Sequence, residues 1–167
     1  MKNFSMAFVA LALFAFIGCG PSAEQQKMFA DLTTEVTSMV NDGSASLGKM
    51  DDVAGQITTA VTGSQELAQK FPKDTASIMG AVNQLKAAKD RLMSVKDNVG
   101  AWIANFKAPD LASGSFDKVI ADLKKNKEDI TSATTEIQGA LSAATSALDG
   151  YNGIASGLMS KVASMRK

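Results

Sequence analysis

Apolar residues recur at alternating steps of three and four along nearly the whole chain from Leu32 to Met165, and no stretch alternates in steps of two. Such spacing puts one stripe of each segment on one side of an α-helix, with a period close to that of a left-handed supercoil. The first seam runs from Leu32 to Phe71 through Val36, Met39, Gly43, Met50, Ile57, Ser64 and Leu67. The second runs from Ile78 to Phe106 through Leu85, Leu92, Val99 and Trp102. The third runs from Phe116 to Met165 through Ile120, Leu123, Ile130, Ile137, Leu148, Tyr151 and Leu158. Val40, Leu47, Ala54, Val61 and Ala68 widen the first stripe. A widened stripe suits a helix with two neighbours better than a two-stranded coil.

The three prolines stand where these patterns start or stop. Proline lacks an N–H and restricts the residue before it, so it belongs at helix ends. Pro21 precedes Ser22-Ala23-Glu24-Gln25, a capping box with Ser22 as N-cap. Pro72-Lys73-Asp74 forms a short turn. Pro109 lies in a loop from Lys107 to Gly114, and Ser115 is the expected N-cap of the third helix, with Asp117 in its first turn. Short connections make consecutive helices antiparallel. The expected fold class is therefore all-α: an elongated antiparallel three-helix bundle with heptad packing.

Laying the helices side by side predicts where the core ends. With Phe71 at one end, the second helix descends to Phe106 and the third regains the top near Asp149-Gly150. The first helix passes the bottom level near Asn41-Asp42-Gly43. Both glycine sites are expected weak points; the competing arrangement keeps one unbroken helix from Phe116 to Met165 and extends the loop, so that the third helix slides down beside residues 22–41. This reading gives a signal segment 1–18, an anchor with N-terminal helical arm 19–43, a core 44–149 and a C-terminal helical arm 150–167. With both arms extended, the object would span roughly 100 Å. Phe71 is expected at the top, and Trp102, Phe106 and Phe116 together at the bottom. Ten of the 13 glycines fall inside the helical regions, and each costs about 1 kcal/mol relative to alanine. The helices must therefore support one another.

The first residues read differently. Lys2 is followed by an uncharged apolar run from Met6 to Ile17, too short to span a bilayer, and then by Gly18-Cys19. Phe16 is too bulky for the −3 position of a general signal-peptidase site. The tetrapeptide Phe16-Ile17-Gly18-Cys19 instead resembles a lipobox, the signal of bacterial lipoproteins, although the commonest residue at the position of Phe16 is leucine. The resemblance implies that diacylglycerol is attached to the Cys19 thiol, that the leader is cut before Cys19, and that the mature chain is held by its lipid. It implies a cell-membrane or outer-membrane location on the extracytoplasmic side, periplasmic in a diderm host, where Gly20 after the cysteine favours the outer membrane. Cys19 is the chain's single cysteine, so no intrachain disulfide competes for it. More than one acyl chain gives durable attachment, each buried methylene adding about 0.8 kcal/mol.

Charge and chemistry narrow the function classes. The chain carries 17 basic and 17 acidic residues, and loss of Lys2 with the leader leaves a net charge of about −1, which argues against nucleic acid as a partner. There is no histidine, which removes the usual general base and the commonest metal ligand. Asp51-Asp52 and Glu128-Asp129 are adjacent pairs that diverge around a helix, so neither makes an acid–base dyad. Lys124-Lys125-Asn126-Lys127 reads as surface. Met28, Met39 and Met50 share a helix face, but successive residues lie about 16 Å apart, too far for common copper ligation. No catalytic residue, cofactor or metal is expected, and the chain is read as a non-enzyme.

The chain ends Met165-Arg166-Lys167. With its lipobox cysteine and heptads, this ending is similar to that of Braun-type murein lipoproteins, which finish Tyr-Arg-Lys. In that family the terminal lysine is joined to peptidoglycan. The resemblance would make Lys167 a linkage site, while the length, the proline turns and Met165 depart from the family. Basic residues also commonly end helices because they complement the helix dipole. Three readings follow. One is a structural or interaction lipoprotein meeting an envelope protein, with self-association left open. The second is a peptidoglycan tether. The third is a chaperone-like or lipid-binding module whose bundle opens around an apolar guest.

Overall fold

A computed structural model describes residues 20–165. It comprises three helices, α1 (Ala23–Lys70), α2 (Thr75–Asn105) and α3 (Phe116–Met165), with short 3-10 turns at Pro72–Asp74 and Leu111–Ser113. Among the described residues there is no strand. The protein is an all-α three-helix bundle, running up, down and up, so that α1 and α3 are parallel and α2 opposes both.

The helix ends follow from local chemistry. The Ser22 hydroxyl accepts from the Gln25 N–H at 3.2 Å, and the Gln25 side chain accepts from the Ser22 N–H at 2.8 Å. This reciprocal pair satisfies donors that the first turn leaves open. Pro72 stops α1, whose final turn is closed by the Phe71 N–H donating to Leu67 at 3.0 Å. Phe106 leaves α2 in an extended conformation. The 3-10 turn at 111–113 is held by the Asp110 carboxylate, which accepts from the Ala112 N–H at 3.0 Å.

Side-chain pairs mark the register. Lys96 reaches Asp51 and Lys89 donates to Thr58, one heptad apart on each helix and in opposite chain directions. Lys127 of α3 pairs with Glu35 of α1 at 2.6 Å. Arg91 of α2 lies against Gly139 of α3. The inward faces are those of the seams. Ile57, Leu85, Leu92, Leu123, Ile130 and Ile137 are completely buried, and Met50 and Ala144 nearly or fully so. Ala140 and Ala144 of α3 and the buried Ser64 of α1 lie on the inward faces, small side chains that allow close helix approach.

The bundle is longer on one side than the other. α2 has 31 residues, against 48 in α1 and 50 in α3. The main core ends where α2 ends. Below it Val36, Val40 and Ile130 form a second cluster covered by Trp102 and Phe106. Lower still, Val119, Ile120 and Leu123 pack with Phe29, Leu32, Leu111 and Phe116. Here the loop after α2 replaces the missing helix, and Leu111 supplies its contact.

Two expectations are corrected. Neither Gly43 nor Gly150 breaks a helix, since α1 and α3 run through both. The regions beyond them are not free arms: Val36, Val40, Tyr151 and Leu158 are all buried. The physical reason is the loop. It carries the chain down past the end of α2, so α3 starts beside Phe29, not beside Met39, and its whole length finds α1 to pack on. Phe116 is therefore in the lowest cluster, apart from Trp102 and Phe106, whose rings lie 5.7 Å apart. The bundle spans about 80 Å at 1.5 Å per residue, not 100 Å.

Candidate functional site

Cys19, the expected lipid attachment residue, lies outside the described residues, as do Phe16, Ile17, Gly18, Arg166 and Lys167. What the structure describes is how the chain leaves those positions. Only Gly20, Pro21 and Ser22 separate Cys19 from α1. Three residues reach at most about 10 Å, and the entry is stiffened further by the Gln26 side chain donating to the Pro21 carbonyl at 3.0 Å. Cys19 is therefore followed almost at once by a helix of 48 residues. At the other end, α3 continues past the start of α2: Gly153, Gly157 and Leu158 lie beside Asp74 and Ser77, and the helix runs on to Met165.

The polar residues singled out by sequence are spread over the outer faces. Asp51 is engaged by Lys96, Asp129 by Lys125 at 2.7 Å, and Lys127 by Glu35. The Asp129 carboxylate, through its hydrogen bond and charge, raises the Lys125 ammonium above its ordinary range. Burial pushes the Tyr151 phenol up. Among the described residues, no cluster of three or more histidines, cysteines or carboxylates could hold a metal ion. Met50 is buried, Met39 half-buried and Met28 half-exposed, so the three methionines do not converge.

Two shallow depressions lie on the surface of the described residues. One, between α1 and α3 near the N-terminal end, is lined by Glu24, Lys27, Met28, Asp31, Leu32, Glu35 and Lys124. The other lies at the far end between α2 and α3, where Gly153 and Gly157 leave the helix surface bare opposite Asp74 and Ser77. Both are open to solvent and mix charge with apolar surface. No helix among the described residues is long and apolar enough to cross a membrane. Neither protein-family models, nor curated proteins, nor solved structures match the chain.

Three residues of the lowest cluster, Phe29, Leu111 and Val119, are not on any seam. Leu111 is the single branched aliphatic residue of the 107–114 loop, and it closes the lowest cluster. An isolated leucine between Pro109 and Gly114 is the signal that could have found it.

Proposed function

We propose that the protein is an envelope lipoprotein with a structural or protein-interaction role and no catalytic activity, anchored through diacylated Cys19. The observation that carries this reading is the abutment of two features. The lipobox-like Phe16-Ile17-Gly18-Cys19 stands directly before a capped helix that runs the length of the bundle. An anchor joined to a stiff rod with hardly any linker holds a helical surface at a set distance from a membrane, about 80 Å at its far end. The complete lack of histidine and the commitment of the single cysteine to lipid support a non-enzymatic role. The outer faces of the helices are then the working surface for an envelope partner.

Metabolic labelling with a fatty-acid analogue tests the anchor. Wild-type chain should incorporate label and fractionate with membranes. Cys19→Ser should do neither, accumulating as uncut precursor or as a soluble form. Equal labelling of the two would refute the reading.

A second reading is kept because one observation favours it. α1 and α3 are parallel, so Met165 lies at the end opposite Gly20, and Lys167 follows two residues later. Such a chain could bridge a membrane and a wall, as in Braun-type tethers. Mass spectrometry of the C-terminal peptide after muramidase digestion decides it: a muropeptide on Lys167 establishes the tether, and a free lysine in wall-associated protein removes it.

A further inference from the structure

We propose that the α2–α3 loop is a foot: in the anchored protein residues 107–115 rest in the headgroup layer of the bilayer and set the angle at which the rod stands. This rests on the reading of Cys19 as the lipid anchor. The loop comes back to the same end of the bundle as Gly20, and it overshoots the last turn of α2. Leu111 packs there on the cluster of Phe29, Val119, Leu123 and Phe116.

The distances bring this end to the membrane. Phe29 is six residues into α1, which is about 9 Å along the axis. Gly20 to Ser22 add at most about 10 Å. Each interfacial layer of a bilayer is roughly 5–8 Å thick. With Gly20 to Ser22 folded within the headgroup layer and not extended, the height left between that layer and the loop is a few ångströms, and a lean toward the loop side, across helices about 10 Å apart, brings the 3-10 turn into contact with lipid.

The composition of this end fits a lipid surface. Leu111 and Phe116 are only partly buried, Ala108 and Ala112 are exposed, and Met28 is 49% exposed. Exposed Lys107 opens the loop and can hold a phosphate while its stem lies along apolar surface. The opposite end has no comparable loop: α1 and α2 are joined there by the tight turn at Pro72–Asp74. An anchor at one end and, beside it, a loop with two exposed alanines and the half-buried Leu111 give two points of support, which a flexible linker would not need.

The test uses the lipidated full-length protein, purified from membranes and reconstituted in phosphatidylcholine vesicles. With Cys19 acylated, an introduced cysteine is the only free thiol. Ala112→Cys at the foot and Ala76→Cys at the far end are both exposed positions and take an environment-sensitive fluorophore. Headgroup spin-labelled phosphatidylcholine is then titrated in. The expected result is a blue shift and strong quenching at residue 112, with neither at residue 76. Vesicle-bound protein with no shift at 112 overturns the foot and leaves the anchor standing. Quenching at both positions means a rod lying flat, and also overturns it. Protein that fails to float with vesicles overturns the anchor, and the foot with it. Leu111→Gln should weaken the quenching at 112 without reducing flotation.

Discussion

The δ-methyl carbon of Ile103 lies 3.1 Å from the point that a β-carbon on Gly43 would occupy, and that of Ile130 lies 3.3 Å from it. All three helices thus meet at Gly43, a position expected to end the core. It is instead a place where α2 and α3 both approach the α1 backbone, and the buried glycine makes room for two isoleucines.

Gly150 is the contrast, since nothing lies within 4 Å of a β-carbon built there. Gly150→Ala should raise stability by about 0.5–1 kcal/mol, the helix-propensity difference alone. Gly43→Ala should gain less, because Ile103 and Ile130 must give way. Gly43→Leu should lose about 1–3 kcal/mol through overpacking. Urea titration followed by circular dichroism measures all three. A Gly43→Leu variant as stable as wild type would show that this end of the bundle is loosely packed.

Fragment 44–149 should be much less stable than the whole domain. Removing residues 20–43 uncovers Ile130 and Leu123, both fully buried, and truncation after 149 removes Tyr151 and Leu158 from the main core. Each large apolar side chain returned to water costs about 1.5–3 kcal/mol. Hydrogen exchange in the intact protein should be as slow through Gly150 as through its neighbours. A fragment that melts like the parent would contradict the packing described.

Lys127 and Glu35 form an interhelical pair at 2.6 Å with both side chains about half exposed. Exposed pairs are worth little, about 0.2–1 kcal/mol, and are screened by salt. Glu35→Gln should therefore cost no more than that at low ionic strength, and the difference should vanish in molar salt. A salt-independent loss of several kcal/mol would mean that the pair is more deeply enclosed than it is.

Tyr151 is buried, and desolvation raises its phenol above the usual value of 10.0. The folded state therefore holds this proton at pH values where the unfolded chain has released it. Stability from Tyr151 is full below pH 10 and is lost as pH rises from there through the folded-state pKa. Lysines titrate in the same range, so the comparison is with Tyr151→Phe. The variant should lose stability less steeply than wild type above pH 10. Parallel curves would exclude the effect.

How much of this was legible in the sequence can be judged at particular residues. Val36, Ile57, Leu85, Ile130 and Ile137 were placed on the seams by spacing, and all are buried. Ser22 with Gln25, and Pro72, marked helix ends correctly. The axial position of α3 was not legible. A 3-4 pattern looks much the same after a slide by a few of its steps, so spacing cannot distinguish α3 starting beside Met39 from α3 starting beside Phe29, ten residues lower. Cys19 and Lys167 were legible only as motifs, and both fall outside the described residues.

The sequence by itself determined the helices, their inward faces and their ends, because these depend on local periodicity and on caps formed within a few residues. Tertiary structure alone decided the register, the continuity through Gly43 and Gly150, and the meeting of Leu111 with Phe29 and Phe116. Those depend on which slide of three similar surfaces buries the most apolar area, a sum over contacts between residues far apart in the chain. A glycine cost of about 1 kcal/mol is small against that sum, so the helices run on.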